Sequence, residues 1–212
     1  PGESIVVQEP CKGTSVMETK RADAQTMERE VEQPLYDAVR SLIEFTGEDA
    51  DRHGLVDTPR RVVKALAEMT DGYKHDPARL LERVFPVSSN TLVVVSGIEF
   101  HSLCEHHMLP FFGTATIAYM PSGSVVGLSK LPRLVECFSK RLQVQERLTE
   151  QIASTVYEYI EPTPKGVGVM ISARHLCMCA RGIKCNANTM SSCAKGTFYG
   201  DADMWSTIQR EH

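Results

Sequence analysis

The sequence predicts an α+β fold, an antiparallel sheet with two consecutive helices on one face, and three observations lead there. From Glu28 onward, Val31, Leu35, Ala38, Val39 and Leu42 recur at three- and four-residue steps, the period of an apolar helix stripe. Thr91–Ser96, Phe112–Met120, Gly166–His175 and residues 188–198 are rich in β-branched and aromatic side chains, the composition of strands. Between the second and third of these segments lie two helical patterns in succession, Leu131–Lys140 and Gln143–Ile160.

Taken in order, residues 1–27 are polar without a sustained period and are expected to form a flexible tail. Residues 28–212 are expected to form one unit, with a helical region over 28–88 and a sheet-and-helix core over 89–212. The first helix should end at Gly47 and the acidic run after it. Asp57-Thr58-Pro59 is a start signal for the second, because a capping residue followed by proline suits the first helical turn. A short helix is expected over Asp76–Val84. In the later pair, Val144, Leu148, Ile152, Val156 and Tyr159 mark a single face that would pack on the sheet. Asp201–Glu211 would close the chain as a helix.

A net charge of −4 gives no general attraction to nucleic acid, while leaving room for a local basic pocket around a phosphorylated small molecule. No stretch approaches the ~20 apolar residues needed to cross a bilayer, and no basic-then-apolar signal opens the chain. A cytoplasmic protein without membrane or nucleic-acid partners is therefore expected. The seven cysteines are odd in number and lack the regular spacing of a small secreted scaffold, which favours reduced thiols and a metal site.

Cys104-Glu105-His106-His107 is the densest cluster of candidate ligands. A helix-like turn brings positions i and i+3 to one side, so Cys104 and His107 form a chelating pair. His106 then points elsewhere, free to act as an acid or base. Alone, this spacing is equally compatible with a core cysteine and two surface histidines. The second cluster, His175-Leu176-Cys177-Met178-Cys179, shifts the balance. Read as the continuation of a strand, it turns His175, Cys177 and Cys179 to one face, and one of the two thiolates would complete a Cys2His set. Three protein ligands leave a fourth position for water, whose pKa zinc lowers to ~7.

GIEFHSLCEHHMLPFFG, then GLSKLPRLVECFSKRLQVQERLTEQIA, then HLCMCARG, together with GLVDTPRRVVKAL upstream, resemble the signature set of GTP cyclohydrolase I in order and spacing. The resemblance runs from about Glu28 to the C-terminus. It implies the tunnelling fold, zinc held by Cys104, His107 and Cys177, and proton transfer by His106 and His175. It also implies that Glu146, with Gln145 beside it, recognises guanine, and that Ser129, Lys130, Arg133 and Arg181 cradle the triphosphate of GTP. The implied product is 7,8-dihydroneopterin triphosphate, formed with release of formate by a homodecamer whose active sites lie where subunits meet. Nothing in the sequence supports a regulatory partner. Two features depart from the family's usual pattern: Gly97 stands where an acidic residue is common, and KCNANTMSSCAKGTFYGD is rich in cysteine.

Overall fold

A computed structural model of the chain describes residues 32–88 and 91–212. The expected tail over 1–27 lies outside the described residues. Two compact units divide between Leu66 and Ala67, so residues 67–88, grouped by sequence with the helical region, belong to the sheet-bearing unit.

In the first unit, α1 (residues 32–45) ends where Thr46 and Gly47 donate backbone N–H to Ile43 and Glu44 carbonyls. Gly47 follows with φ of +90°, a left-handed conformation that glycine adopts at little cost. Arg40 grips Asp51 through two bonds of 2.7 and 2.6 Å. The second helix, α2 (Thr58–Met69), starts at the predicted Asp57-Thr58-Pro59 signal.

The second unit opens with a single 3-10 turn (Asp71–Lys74) and α3 (Pro77–Leu81). Asp76 caps α3 by accepting from the Ala78 amide at 3.0 Å, with proline at the first helical position. This helix is shorter than the expected Asp76–Val84, because the chain turns extended at β1 (Val84–Pro86) to pair with β4 (Ser124–Val126). Strands this short carry no readable alternation.

The main sheet comprises β2 (Val93–Cys104), β3 (Pro110–Met120), β5 (Leu142–Gln143), β6 (Gly166–His175) and β7 (Asn188–Gly196). They lie in the order β5-β2-β3-β6-β7, antiparallel except for the short β2–β5 pair. β2 runs well past the expected Ser96 because the register slips between Val95 and Ile98. Gly97, at φ +66°, supplies the backbone for that bulge.

Alternation along the strands builds two cores. Ile117, Tyr119, Val167, Val169 and Ile171, all fully buried, face one way. They meet Leu131, Leu134 and Val135 of α4 (Lys130–Ser139) and Leu148, Ile152 and Val156 of α5 (Gln145–Tyr159). Each such side chain contributes ~1.5–3 kcal/mol by leaving water. Ala118 and Met170 face the other way and pack with Phe198 and with Ile208 of α7 (Ala202–Glu211). The two consecutive helices thus cover one face as predicted, and α7 covers part of the opposite face. β3 and β6 approach so closely at Gly113 that a Cβ there would lie 1.9 Å from the Ser172 carbonyl oxygen.

Candidate active site

Cys104 is the last residue of β2 and Pro110 the first of β3, and the turn between them carries the first cluster. It winds like a helix: the amides of His107 and Met108 both donate to the Cys104 carbonyl, at 3.3 and 2.8 Å. Met108 sits at φ 53° to reverse the chain. The expected i, i+3 approach results, with Cys104 Sγ 3.9 Å from His107 Nδ1.

The second cluster departs from the sequence expectation. β6 stops at His175, and Leu176–Cys179 forms a helical turn (α6) closed by the Ala180 amide on the Leu176 carbonyl at 2.9 Å. Strand parity therefore does not align His175, Cys177 and Cys179. The turn carries Cys177 to the first cluster, where the ligand atoms of Cys104, His107 and Cys177 all lie within 4.8 Å of one another. The Cys179 thiol is instead directed at Asn186 Oδ1, 3.6 Å away.

Two sulfurs and one imidazole nitrogen suit zinc, a borderline-soft ion that takes Cys2His sets at sites keeping one position open. The thiols' own electrostatics agree. Burial pushes the Cys177 thiol up, and the neighbouring Cys104 raises it further. A thiol that resists ionising alone becomes a good anionic ligand once a cation compensates it.

The remaining candidates surround these three in different ways. His175 is half-buried; its Nε2 lies 2.8 Å from Gln145 Oε1, and its ring stacks on Phe111 with centroids 4.6 Å apart and planes 3° apart. Phe111 is its direct cross-strand partner in the β3–β6 ladder. Burial lowers the His175 pKa below its ordinary value, with Glu146 acting weakly in the other direction. His106 has a side chain 65% exposed, 3.8 Å from Glu105 Oε1. Glu105 pairs with Arg147, which holds its carboxyl below the usual carboxylate range. Arg147 is fixed in turn by the Leu142 carbonyl and Gln143 Oε1, both at 3.1 Å.

Gln145 and Glu146 open α5. Glu146 is exposed and, with Thr149, Glu150, Met190, Ser191, Ser192 and Cys193, lines a cleft of about 410 Å³. Gln145, expected beside it at the substrate, is only 1% exposed, and its side-chain amide is engaged by the protein. Ser129 sits at the start of α4 with no capping bond from its hydroxyl, and Arg133 lies exposed one turn on from it. Lys130 is partly exposed between them. Arg181 reaches the thiol–imidazole cluster directly, with Nη1 2.9 Å from His107 Nε2.

Sequence reasoning missed Phe111 and Arg147, and placed Glu105 in the first cluster without seeing its partner. FFG closes the first motif, yet only the β3–β6 register reveals that Phe111 faces His175. Arg147 is 42 residues from Glu105 and shares no motif with it.

The sequence pattern of GTP cyclohydrolase I matches residues 35–211. The chain is 51% identical over 163 residues to the GTP cyclohydrolase 1 of Campylobacter lari, covering 76% of this chain and 85% of that protein. It is 49% identical over 178 residues to that of Chlorobaculum tepidum, covering 83% and 79%. With the enzyme of that name from Campylobacter curvus it shares 48% over 168 residues, covering 78% and 87%. Among solved structures it is similar to an apo archaeosine synthase QueF-like protein, at a TM-score of 0.40 and 17% identity over 50% of this chain and 95% of that one, a likeness too slight to add to the assignment. A match that spans nearly all the described residues, and takes in both segments that meet at the thiol–imidazole cluster, makes this chain a member of the GTP cyclohydrolase I family.

Proposed function

We propose that the protein converts GTP and water to 7,8-dihydroneopterin triphosphate and formate, with zinc held by Cys104, His107 and Cys177. The observation that carries this reading is the convergence of two thiols and an imidazole from segments seventy residues apart, within 4.8 Å, in a chain of this family. When bound, zinc in a three-ligand site supplies the Lewis acidity that makes water nucleophilic near neutral pH.

The chain's own residues do the rest. Glu146, exposed on the first turn of α5, accepts from the guanine N1–H and 2-amino group, a pair of donors that adenine lacks. Ser129, Lys130 and Arg133 at the start of α4 bind the triphosphate, where a hydroxyl, helix-terminal amides and two cations combine. Arg181 adds a guanidinium beside the cluster, where it links phosphate binding to the reacting centre. His175 and His106 move protons during attack at C8, ring opening and reclosure; a half-buried imidazole whose charged form burial disfavours and an exposed imidazole give the site two proton-carrying groups in different surroundings.

The reading extends to a cytoplasmic homodecamer with active sites between subunits. It is supported by apolar side chains left open on the first unit, Leu42 at 64% and Phe45 at 88% exposure, and by the absence of any described helix long and apolar enough to cross a membrane. Light scattering on the purified protein reads the subunit number. The catalytic reading is tested by incubating the zinc-loaded protein with GTP and quantifying both products. Equimolar formate and dihydroneopterin triphosphate are expected; consumption of GTP without formate sinks the assignment.

A further inference from the structure

Gln145 is among the least exposed polar side chains of the described residues, and it meets partners of two kinds. Its Nε2 lies 3.1 Å from the Ile171 carbonyl oxygen, 2.9 Å from that of Thr189 and 3.1 Å from Ser191 Oγ. Its Oε1 lies 2.8 Å from His175 Nε2. We infer that Gln145 is a positioning residue that locks His175 in a single tautomer, proton on Nε2 and lone pair on Nδ1, so that Nδ1 is the atom through which His175 exchanges protons with the substrate. The inference rests on the proton-transfer role proposed for His175.

The two ends of an amide look alike in coordinates, so the partners have to orient it. Backbone carbonyls only accept. Turning Gln145 over would set its oxygen against two carbonyl oxygens deep in the protein, at 2.9 and 3.1 Å, where acceptors repel one another. The hydroxyls beside it point the same way. Thr149 Oγ1 donates to the Gln145 backbone carbonyl at 2.8 Å, so across the 2.7 Å contact it must receive a proton from Ser191. Ser191 has then spent its one hydrogen and meets Gln145 as an acceptor, which again requires the amide nitrogen at that end.

With the nitrogen end fixed, Oε1 faces His175 and has no hydrogen to give. His175 Nε2 must donate. A neutral imidazole carries one N–H, so Nδ1 holds the lone pair. Phe111, fully buried and parallel against one face, holds the ring in its plane, and a half-turn back into that plane would put a carbon where Nε2 meets Gln145 Oε1. Nor, among the described residues, is Nδ1 spent on capping: His175 precedes α6 without making a side-chain capping bond to it. A residue serving only to tie α5 to β6 and β7 would need the amide nitrogen alone. The oxygen end serves His175.

The test uses zinc-loaded protein labelled with 15N in histidine only. Two-bond 1H–15N correlations distinguish the tautomers, and the signals of His175 are those lost in His175→Asn. A protonated Nε2 and an unprotonated Nδ1 are expected; the reverse pattern in the wild-type protein overturns the inference without any variant. Gln145→Met, similar in length but without donor or acceptor, is expected to mix the two tautomers. It should lower kcat on the order of 100-fold while KM for GTP stays nearly constant. A folded Gln145→Met protein with wild-type kcat and a single unchanged tautomer overturns it too. Thr149→Val keeps both carbonyl acceptors and should retain the Nε2–H form; a switched tautomer there counts against the orientation argument. Turnover retained in His175→Asn would remove the proton-transfer role alone, because the tautomer is read independently of activity.

Discussion

The two segments that meet at the thiol–imidazole cluster are built on opposite plans. The turn after β2 presents His106 on the surface, 65% exposed, with its carboxylate neighbour 3.8 Å away. The end of β6 presents His175 half-buried, stacked on one side and hydrogen-bonded at one nitrogen. The first arrangement lets a side chain adapt to whatever is bound. The second fixes a ring before anything binds, at the cost of making its charged form less favourable. On the proposed reading the two kinds are complementary, since a fixed ring sets geometry and an exposed one is open to whatever the site binds.

The largest effect that could break this comparison lies at the rigid segment. Cys177→Ser should strip both zinc and turnover, whereas Cys179→Ser should keep the metal and most activity, because the Cys179 thiol is directed at Asn186. Metal content of the two variants decides, and zinc lost only from Cys179→Ser would reverse the assignment. A smaller effect is expected from Phe111→Leu, which keeps an apolar side chain but removes the ring from beneath His175. Denaturant unfolding should show a loss of ~1–3 kcal/mol; no loss would mean that the stacked pair is not part of what holds this end of the sheet.

The smallest effect belongs to the open turn. Glu105→Gln should scarcely alter the melting temperature at neutral pH, since its pair with Arg147 is partly exposed and screened. Its pH dependence has a definite sign. Arg147 lowers the folded pKa of Glu105, so whatever the pair contributes is present above the ordinary value of 4.5 and is lost as pH falls through the lowered folded value. The melting temperatures of wild type and variant should therefore converge below that range. A gap that widens on acidification would sink the pairing.

What could be read from the sequence was what depends on near neighbours. The apolar stripe of α5 and the β-branched run of β6 announced themselves by period and composition, and the bounds read for β6, Gly166–His175, are those observed. Cys104 and His107 were paired correctly in space because i, i+3 proximity is a local property of a turn. The errors fell where tertiary contacts decide. β2 continues past Gly97 because β3 is there to accept a bulge, and α3 yields to β1 because β4 pairs with it. Strand parity predicts one shared face from His175 to Cys179, but the chain turns helical at Leu176. Gln145 and Glu146 lie side by side in the sequence, yet consecutive helical positions point about 100° apart, and the structure buries the first and exposes the second, a difference that no motif announces.

The close approach of β3 and β6 at Gly113 has a consequence in time as well as in space. Gly113 faces Ala173 in the ladder, two residues along from the stacked pair, and leaves no room for the strands to adjust. Parting the two strands at Gly113 would break the centre of the sheet, an event that belongs to global unfolding rather than to local breathing. Backbone amides around Phe111 and Arg174 should then be among the last to exchange with deuterium, over times set by the whole domain. Those of the Glu105–Met108 turn should exchange early, through fluctuations that never disturb the sheet.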